Sequence, residues 1–335
     1  MPMSEIKQKA IQLGYESCGI ISAKAFDEYR RYLDERIKAF PESKKLYEPF
    51  YRYVTPPEES KSIIVCIQGM TGYKVPDFYE GLIGKCYLFD ARVPIAHEHR
   101  ARVEFETYLK TLGLNILQFQ VPARWAAAKA GLIKFGRNNF VYSPKNGSYM
   151  NVISFVVDKE LEYDAAPEDL ILPECSDSCE KCIKACPTNA MTGELCMDMG
   201  KCINTLTVRA EDALDADTRS KMGEWVYGCD VCQDVCPVNK GKFSGNEEFP
   251  LLAQFEEYMK PENLLTMDES AYISVVNPRF WYIGEEGIWL WRCNALRSLI
   301  NSGKPEYHGL IKQCLDHKDA RVREVAQWGC DKLGI

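Results

Sequence analysis

The chain has 335 residues, 46% hydrophobic and 27% charged, with a formal net charge of −7. This is the balance of a soluble globular protein with room for two or three domains. It argues against a large nucleic-acid surface, which needs clustered Lys and Arg to displace counterions from phosphates. No apolar run reaches the roughly 18 residues of a membrane helix. The charged start MPMSEIKQKAIQLG also lacks the apolar centre of a secretory signal, so a cytoplasmic protein is expected.

The first 165 residues alternate helix and strand signals. Glu5 to Leu13 has helical spacing and stops at Gly14, and Ser17 to Ile21 reads as a short buried strand. A helix is expected over Ala25–Phe40. A β-branched central strand, SIIVCIQ, follows at Ser62–Gln68. His99 to Leu112 is helical up to Gly113, Asn115 to Val121 reads as a strand, and Arg124 to Gly131 is an alanine-rich helix. Tyr149 to Asp158 is a further strand, and His97 and His99 are read as surface or capping residues. The mixture predicts an α+β fold layered around one sheet.

Residues 166–245 hold two cysteine blocks. The first is Cys175, Cys179, Cys182 and Cys186 with Pro187; the second is Cys202, Cys229, Cys232 and Cys236 with Pro237. Thiolate sulfur is the ligand of iron–sulfur clusters. In the run C-x2-C-x2-C-x3-C-P, the fourth cysteine serves the other of two clusters. The last three cysteines of each block have that spacing. Cys175 stands one residue too far from Cys179, and Cys202 lies far upstream of its partners. Structural zinc on thiolate quartets is the competing reading, but the CxxCxxxC triplets and Cys-Pro endings favour cubanes. Seven cysteines remain: Cys18, Cys66, Cys86, Cys196, Cys293, Cys314 and Cys330. Several sit in apolar settings and read as small buried hydrophobes; Cys196, between the blocks, is the stand-in ligand. From about residue 246 the chain turns helical, with Trp291–Ile300, His308–Leu315 and Asp319–Leu333 in helical period. The turn opening the last of these resembles a HEAT-type repeat, a single unit where a free-standing solenoid needs about three.

Further segments carry a family likeness. Ala127-Ala128-Lys129-Ala130-Gly131-Leu132 with Phe135-Gly136-Arg137-Asn138 resembles a stretch of the epoxyqueuosine reductases. So do Trp225 through Pro237 (WVYGCDVCQDVCP), Lys201 to Thr207, Ala185 to Ala190 and the N-terminal Gly14 to Ile20. The resemblance implies a nitroreductase-like α/β corrinoid domain over 1–165, a ferredoxin-like domain with two [4Fe-4S] clusters over 166–245, and a helical HEAT-like region over 246–335. By position it assigns Cys175, Cys179, Cys182 and Cys236 to one cluster, and Cys186, Cys202, Cys229 and Cys232 to the other. It places Gly131, Gly136, Arg137, Asn138, Gly147 and Ser148 near a base-off cobalamin, glycine letting backbone approach a ligand closely.

The likeness also has gaps. Where the family carries an Asp regarded as proton donor, this chain has Leu117, and Ala123 stands in place of a nearby Glu; Phe89 to Ile95 is altered as well. A general acid must sit within hydrogen-bond reach of its substrate, and Leu cannot donate. Asp90, Arg124 and Tyr149 are the substitutes considered, and the catalytic residue is left unassigned. The sequence therefore favours a cobalamin-dependent iron–sulfur oxidoreductase fed by a low-potential donor (ferredoxin or flavodoxin). Its expected substrate is something other than epoxyqueuosine-tRNA. Two alternatives stand beside it: an epoxyqueuosine reductase with a displaced acid, and an electron-transfer or corrinoid-reducing partner with no substrate of its own.

Overall fold

The computed structural model describes residues 3–335; Met1 and Pro2, ahead of the first expected helix, lie outside the described residues. The strand at residues 62–69 organises the N-terminal part. It forms β2 (Ser62–Gly69), between β1 (Ser17–Ser22) and β6 (Met150–Val157), with the short β3 (Ile116–Leu117) beyond β6. All three pairings are antiparallel, with Cys18 opposite Cys66 and Ser62 opposite Val157.

Because β2 is covered on both faces, it reads as an unbroken apolar run, and its alternation decides only which layer each residue meets. Ile64 and Cys66 join Ile6, Phe105, Leu109 and Phe155, contributed in part by the helices Met3–Gln12 and His97–Thr111. Ile63, Val65 and Ile67 face the other way, onto Trp125, Ala126 and Ala128 of the helix Ala123–Lys129 and onto Phe135. Alanines on that helix let it lie close to the sheet. Beyond it runs a hairpin, β4 (Lys134–Phe135) and β5 (Val141–Tyr142), and a second small hairpin follows at β7 (Met191–Gly193) and β8 (Cys196–Met197).

The strand expected over Asn115–Val121 is cut to two residues. After Leu117 the chain turns, the Phe119 N–H bonding to the Leu117 carbonyl at 2.8 Å, and Pro122 then leads into the helix. The other expected elements of this region form within a few residues of their anticipated bounds.

Met70 to Ala96 contributes no strand. Its apolar side chains, among them Tyr79, Ile83, Leu88 and Phe89, enter a second core with the C-terminal helices. That core centres on the helix Ile288–Ser302, whose Trp291 stacks on Tyr227 at 5.0 Å and 6°. Asp319 caps the last helix, Ala320–Leu333, accepting from the Arg321 N–H, and Gly334 closes it in the left-handed region at φ 67°. Among the described residues no helix is long and apolar enough to cross a membrane.

Candidate metal centre

The two cysteine blocks fold onto each other through short helices. Cys182 sits on Lys181–Ala185 and Cys232 on Val231–Asp234, and these two turns pack together. Cys202 is the N-cap residue of Ile203–Arg209. Each Cys-Pro ending stops its turn, because proline cannot continue the ladder, and throws its cysteine outward into extended backbone.

The thiols fall into two neighbourhoods. Burial pushes Cys175 up, and its thiol neighbours are Cys179 and Cys236; Cys182, also raised by burial, neighbours Cys175 and Cys179. In the other neighbourhood, Cys202 is raised by burial beside Cys186, and burial pushes Cys229 up to about 12 with Cys202 and Cys186 alongside. Cys232 is raised chiefly by burial, with Cys202, Cys229, Cys186 and Cys182 as its thiol neighbours. Cys236 thus stands beside Cys175 of the first block, and Cys186 beside thiols of the second.

All fifteen cysteines are free thiols. Desolvated thiols of this kind lose their protons readily only to a metal, whose charge compensates the thiolates. The chain also aims donors at sulfur. The Arg137 N–H lies 3.3 Å from Cys175 Sγ, the Ala190 N–H 3.3 Å from Cys186 Sγ, and the Tyr142 hydroxyl 3.3 Å from Cys236 Sγ. Such bonds orient ligands and tune a cluster, so the donor set fits a pair of iron–sulfur clusters. Among the described residues no three His, Cys, Asp or Glu side chains close around one point. A cubane does not require that, since each thiolate takes a different iron.

The residues expected beside a corrinoid lie mostly along the seam between sheet and cysteine segment. Gly136 leaves no room for a Cβ, which would fall 2.5 Å from the Tyr142 ring. Arg137 turns toward the cysteines, its guanidinium 2.7 Å from Asp177 and 3.7 Å from Glu194. Asn138 is buried and donates to the Tyr142 hydroxyl at 2.7 Å. Gly147 has φ 58°, and a Cβ there would lie 2.3 Å from Asn239 Oδ1. Ser148 bonds Asn239 through its N–H (2.9 Å) and accepts from the Asn239 amide (2.8 Å), while its hydroxyl donates to Gln233 (2.8 Å). Gly131, at φ 72° behind the helix Ala123–Lys129, has open space over its Cα.

Cys86, on the turn Lys85–Tyr87, is solvent-accessible, yet enough protein surrounds it that desolvation pushes its thiol up. Arg124 shows the same pairing of exposed side chain and strong desolvation, which lowers its guanidinium, and Tyr29, Cys86 and Tyr282 act on its charge. Arg124, Cys86 and Tyr282 thus lie near one another at the surface. Cys86 is one of the seven cysteines outside the two blocks, and no local pattern sets it apart.

The substitute acids fare differently. Asp90 is held by Arg92, which donates to both carboxylate oxygens at 2.6 to 3.0 Å. Tyr149 donates to Asp234 at 2.8 Å, and burial raises its phenol. Arg124 donates to the Asn139 carbonyl at 3.0 Å. Leu117 pairs with Val156 on the sheet edge, and His97 packs its ring against Gly14.

Residues 174–239 match the 4Fe-4S double cluster binding domain family. Along the wider chain, an epoxyqueuosine reductase from Leadbetterella byssophila is 28% identical over 275 residues, 79% of this chain and 86% of the relative. One from Bacillus subtilis is 31% identical over 230 residues, 64% of this chain and 54% of the relative. In structure, the epoxyqueuosine reductase of Streptococcus thermophilus superposes with a TM-score of 0.80 at 20% identity, covering 99% of this chain and 90% of its own. That of Bacillus subtilis gives 0.76 at 24% identity, with 98% and 90% covered. These likenesses establish a shared fold along nearly the whole chain.

Proposed function

We propose that this epoxyqueuosine-reductase-like iron–sulfur enzyme holds one [4Fe-4S] cluster on Cys175, Cys179, Cys182 and Cys236. The second is held by Cys186, Cys202, Cys229 and Cys232, and both serve cobalamin bound near Cys86 and Arg124. The observation that supports the reading is that Cys175 has Cys236 for a thiol neighbour, while Cys202 and Cys229 have Cys186. Residues 1–165 form the corrinoid domain in this reading, 166–245 the cluster domain and 246–335 the helical region, with Met70–Ala96 lending its apolar side chains to the last.

Cobalamin, when bound, supplies a reduced cobalt nucleophile. The chain's own part is positioning. The seam from Gly136 to Ser148 fixes the cysteine segment against the sheet, Arg124 and Tyr282 lie near Cys86, and Gly131 leaves space for close approach to backbone. A low-potential one-electron donor such as ferredoxin or flavodoxin supplies the electrons.

Epoxyqueuosine in tRNA is the substrate that the relatives favour. One further structural likeness, at 22% identity and a TM-score of 0.73, is an epoxyqueuosine reductase with an epoxyqueuosine-modified tRNA stem loop. Converting an epoxide to an alkene consumes two electrons and two protons and releases water. A second reading, reduction of another substrate, is favoured by Leu117 on the sheet edge and by the engagement of Asp90 with Arg92.

The deciding experiment is EPR of anaerobically reconstituted protein titrated with cob(II)alamin, with an iron count, followed by turnover of epoxyqueuosine-containing tRNA. A stoichiometric base-off cobalt signal and alkene formation establish the first reading. The cobalt signal without turnover of that tRNA moves the assignment to another substrate. Two clusters beside unperturbed free cobalamin leave an electron-transfer protein.

A further inference from the structure

The segment between Cys229 and Cys236 carries two carboxylates, Asp230 and Asp234, and a single lysine from 145 residues upstream reaches both. The Lys85 N–H donates to Asp230 Oδ2 at 2.7 Å. Its ammonium lies 2.7 Å from Asp234 Oδ1 and 3.5 Å from Asp230 Oδ2. Asp230 is 1% exposed and Lys85 17%, so water screens that pair poorly, whereas Asp234, 43% exposed, reaches solvent. The other Asp230 oxygen accepts from the Gln233 amide at 3.1 Å, and Asp234 Oδ1 also accepts the Tyr149 hydroxyl at 2.8 Å.

The lysine is held in place by backbone. The Gly84 N–H bonds to the Tyr227 carbonyl at 2.8 Å, Ile83 pairs with Tyr227, and a Cβ on Gly84 would stand 3.2 Å from the Cys229 nitrogen. The turn bearing Lys85 thus lies directly on the Cys229 backbone. One cation faces two anions there, beside Cys229, Cys232 and Cys236.

We infer that Lys85 is a positioning residue that sets the reduction potential of the cluster on Cys186, Cys202, Cys229 and Cys232. The inference rests on that cluster assignment. Each electron accepted by a cluster adds one negative charge, and nearby charge is among the factors that set its potential. Removing Lys85 takes a positive charge away from the two carboxylates beside the cluster ligands, and reduction becomes harder. Holding the two clusters at different potentials gives the electron a direction through the domain.

The test is potentiometric EPR on anaerobically reconstituted full-length protein, with dithionite as reductant and iron content measured for every variant. Lys85→Met is expected to shift one cluster to a more negative potential while the other moves less, and Lys85→Arg to stay near wild type. Asp234→Asn, which removes an anion, is expected to shift potential in the opposite direction. Opposite signs are a charge effect that a merely loosened structure would not produce. Potentials unchanged in both variants at full iron content, or moved the same way, would overturn the inference. If Lys85→Met fails to retain iron, Asp234→Asn decides alone, and a potential equal to wild type or more negative overturns it. Wild-type protein lacking two clusters would instead overturn the assignment on which the inference rests, and the inference with it.

Discussion

Tyr142 points its hydroxyl at the Cys236 sulfur, 3.3 Å away, and itself accepts the Asn138 amide at 2.7 Å. A strand of the sheet domain thereby supports the second-block cysteine that stands beside Cys175. Tyr142→Phe keeps the ring and deletes the donor. A loss of about 0.5–1.5 kcal/mol in unfolding free energy is expected for one buried hydrogen bond. A more negative potential is expected for the cluster that includes Cys236, because a donor to sulfur favours the reduced state. Denaturant unfolding and redox titration check the two parts, and an unmoved potential would remove Tyr142 from the cluster's surroundings.

Cys196 and Cys202 separate the ligand assignment from its stand-in. Cys196 lies on β8 with the Arg36 guanidinium and the Tyr47 phenol for neighbours, whereas Cys202 neighbours Cys186. Cys202→Ala is expected to lose about half the bound iron and Cys196→Ala none, as [4Fe-4S] sites take four cysteines. Iron analysis after anaerobic reconstitution reads this directly, and the reverse pattern would move the ligand to Cys196.

Gly147 joins the sheet domain to the cysteine segment through space that only a hydrogen can fill. Gly147→Ala adds left-handed backbone strain of roughly 1–2 kcal/mol and drives a methyl into Asn239. A lower thermal midpoint is expected, with slower or incomplete cluster assembly. Asn239→Ala, which removes the obstacle but also the bonds to Ser148, is expected to destabilise as well.

The last helix gives a pH dependence with a definite sign. His317 Nδ1 accepts the Asp319 N–H at 3.0 Å, which requires the neutral ring, and burial, with Arg292 nearby, lowers the folded pKa. The unfolded chain takes up that proton near pH 6.5, so it binds more protons than the folded chain just below that value. The stabilisation is complete above about pH 6.5 and is lost as pH falls through the lower folded value. Thermal midpoints should decline over that window, and His317→Gln should flatten the decline. Asp319, held below its ordinary range chiefly by Arg321, adds a second loss at more acidic pH. Asp319→Ala should cost about 1 kcal/mol as a lost N-cap.

The chemistry was legible where it is local. Eight cysteines and two prolines at set spacings point to clusters because ligand spacing and turn geometry act over a few residues. Ser62–Gly69 was legible because a strand covered on both faces must be apolar throughout. Tertiary structure decided the rest. It cut the strand after Ile116–Leu117, carried Met70–Ala96 into the core of the C-terminal helices, and brought Cys86, Arg124 and Tyr282 near one another. It also set Lys85 between Asp230 and Asp234 across 145 residues of chain. Periodicity and spacing record which residues are apolar, which can bend and which can ligate. Which distant charges meet depends on how whole layers pack, and that is written in no short stretch of sequence.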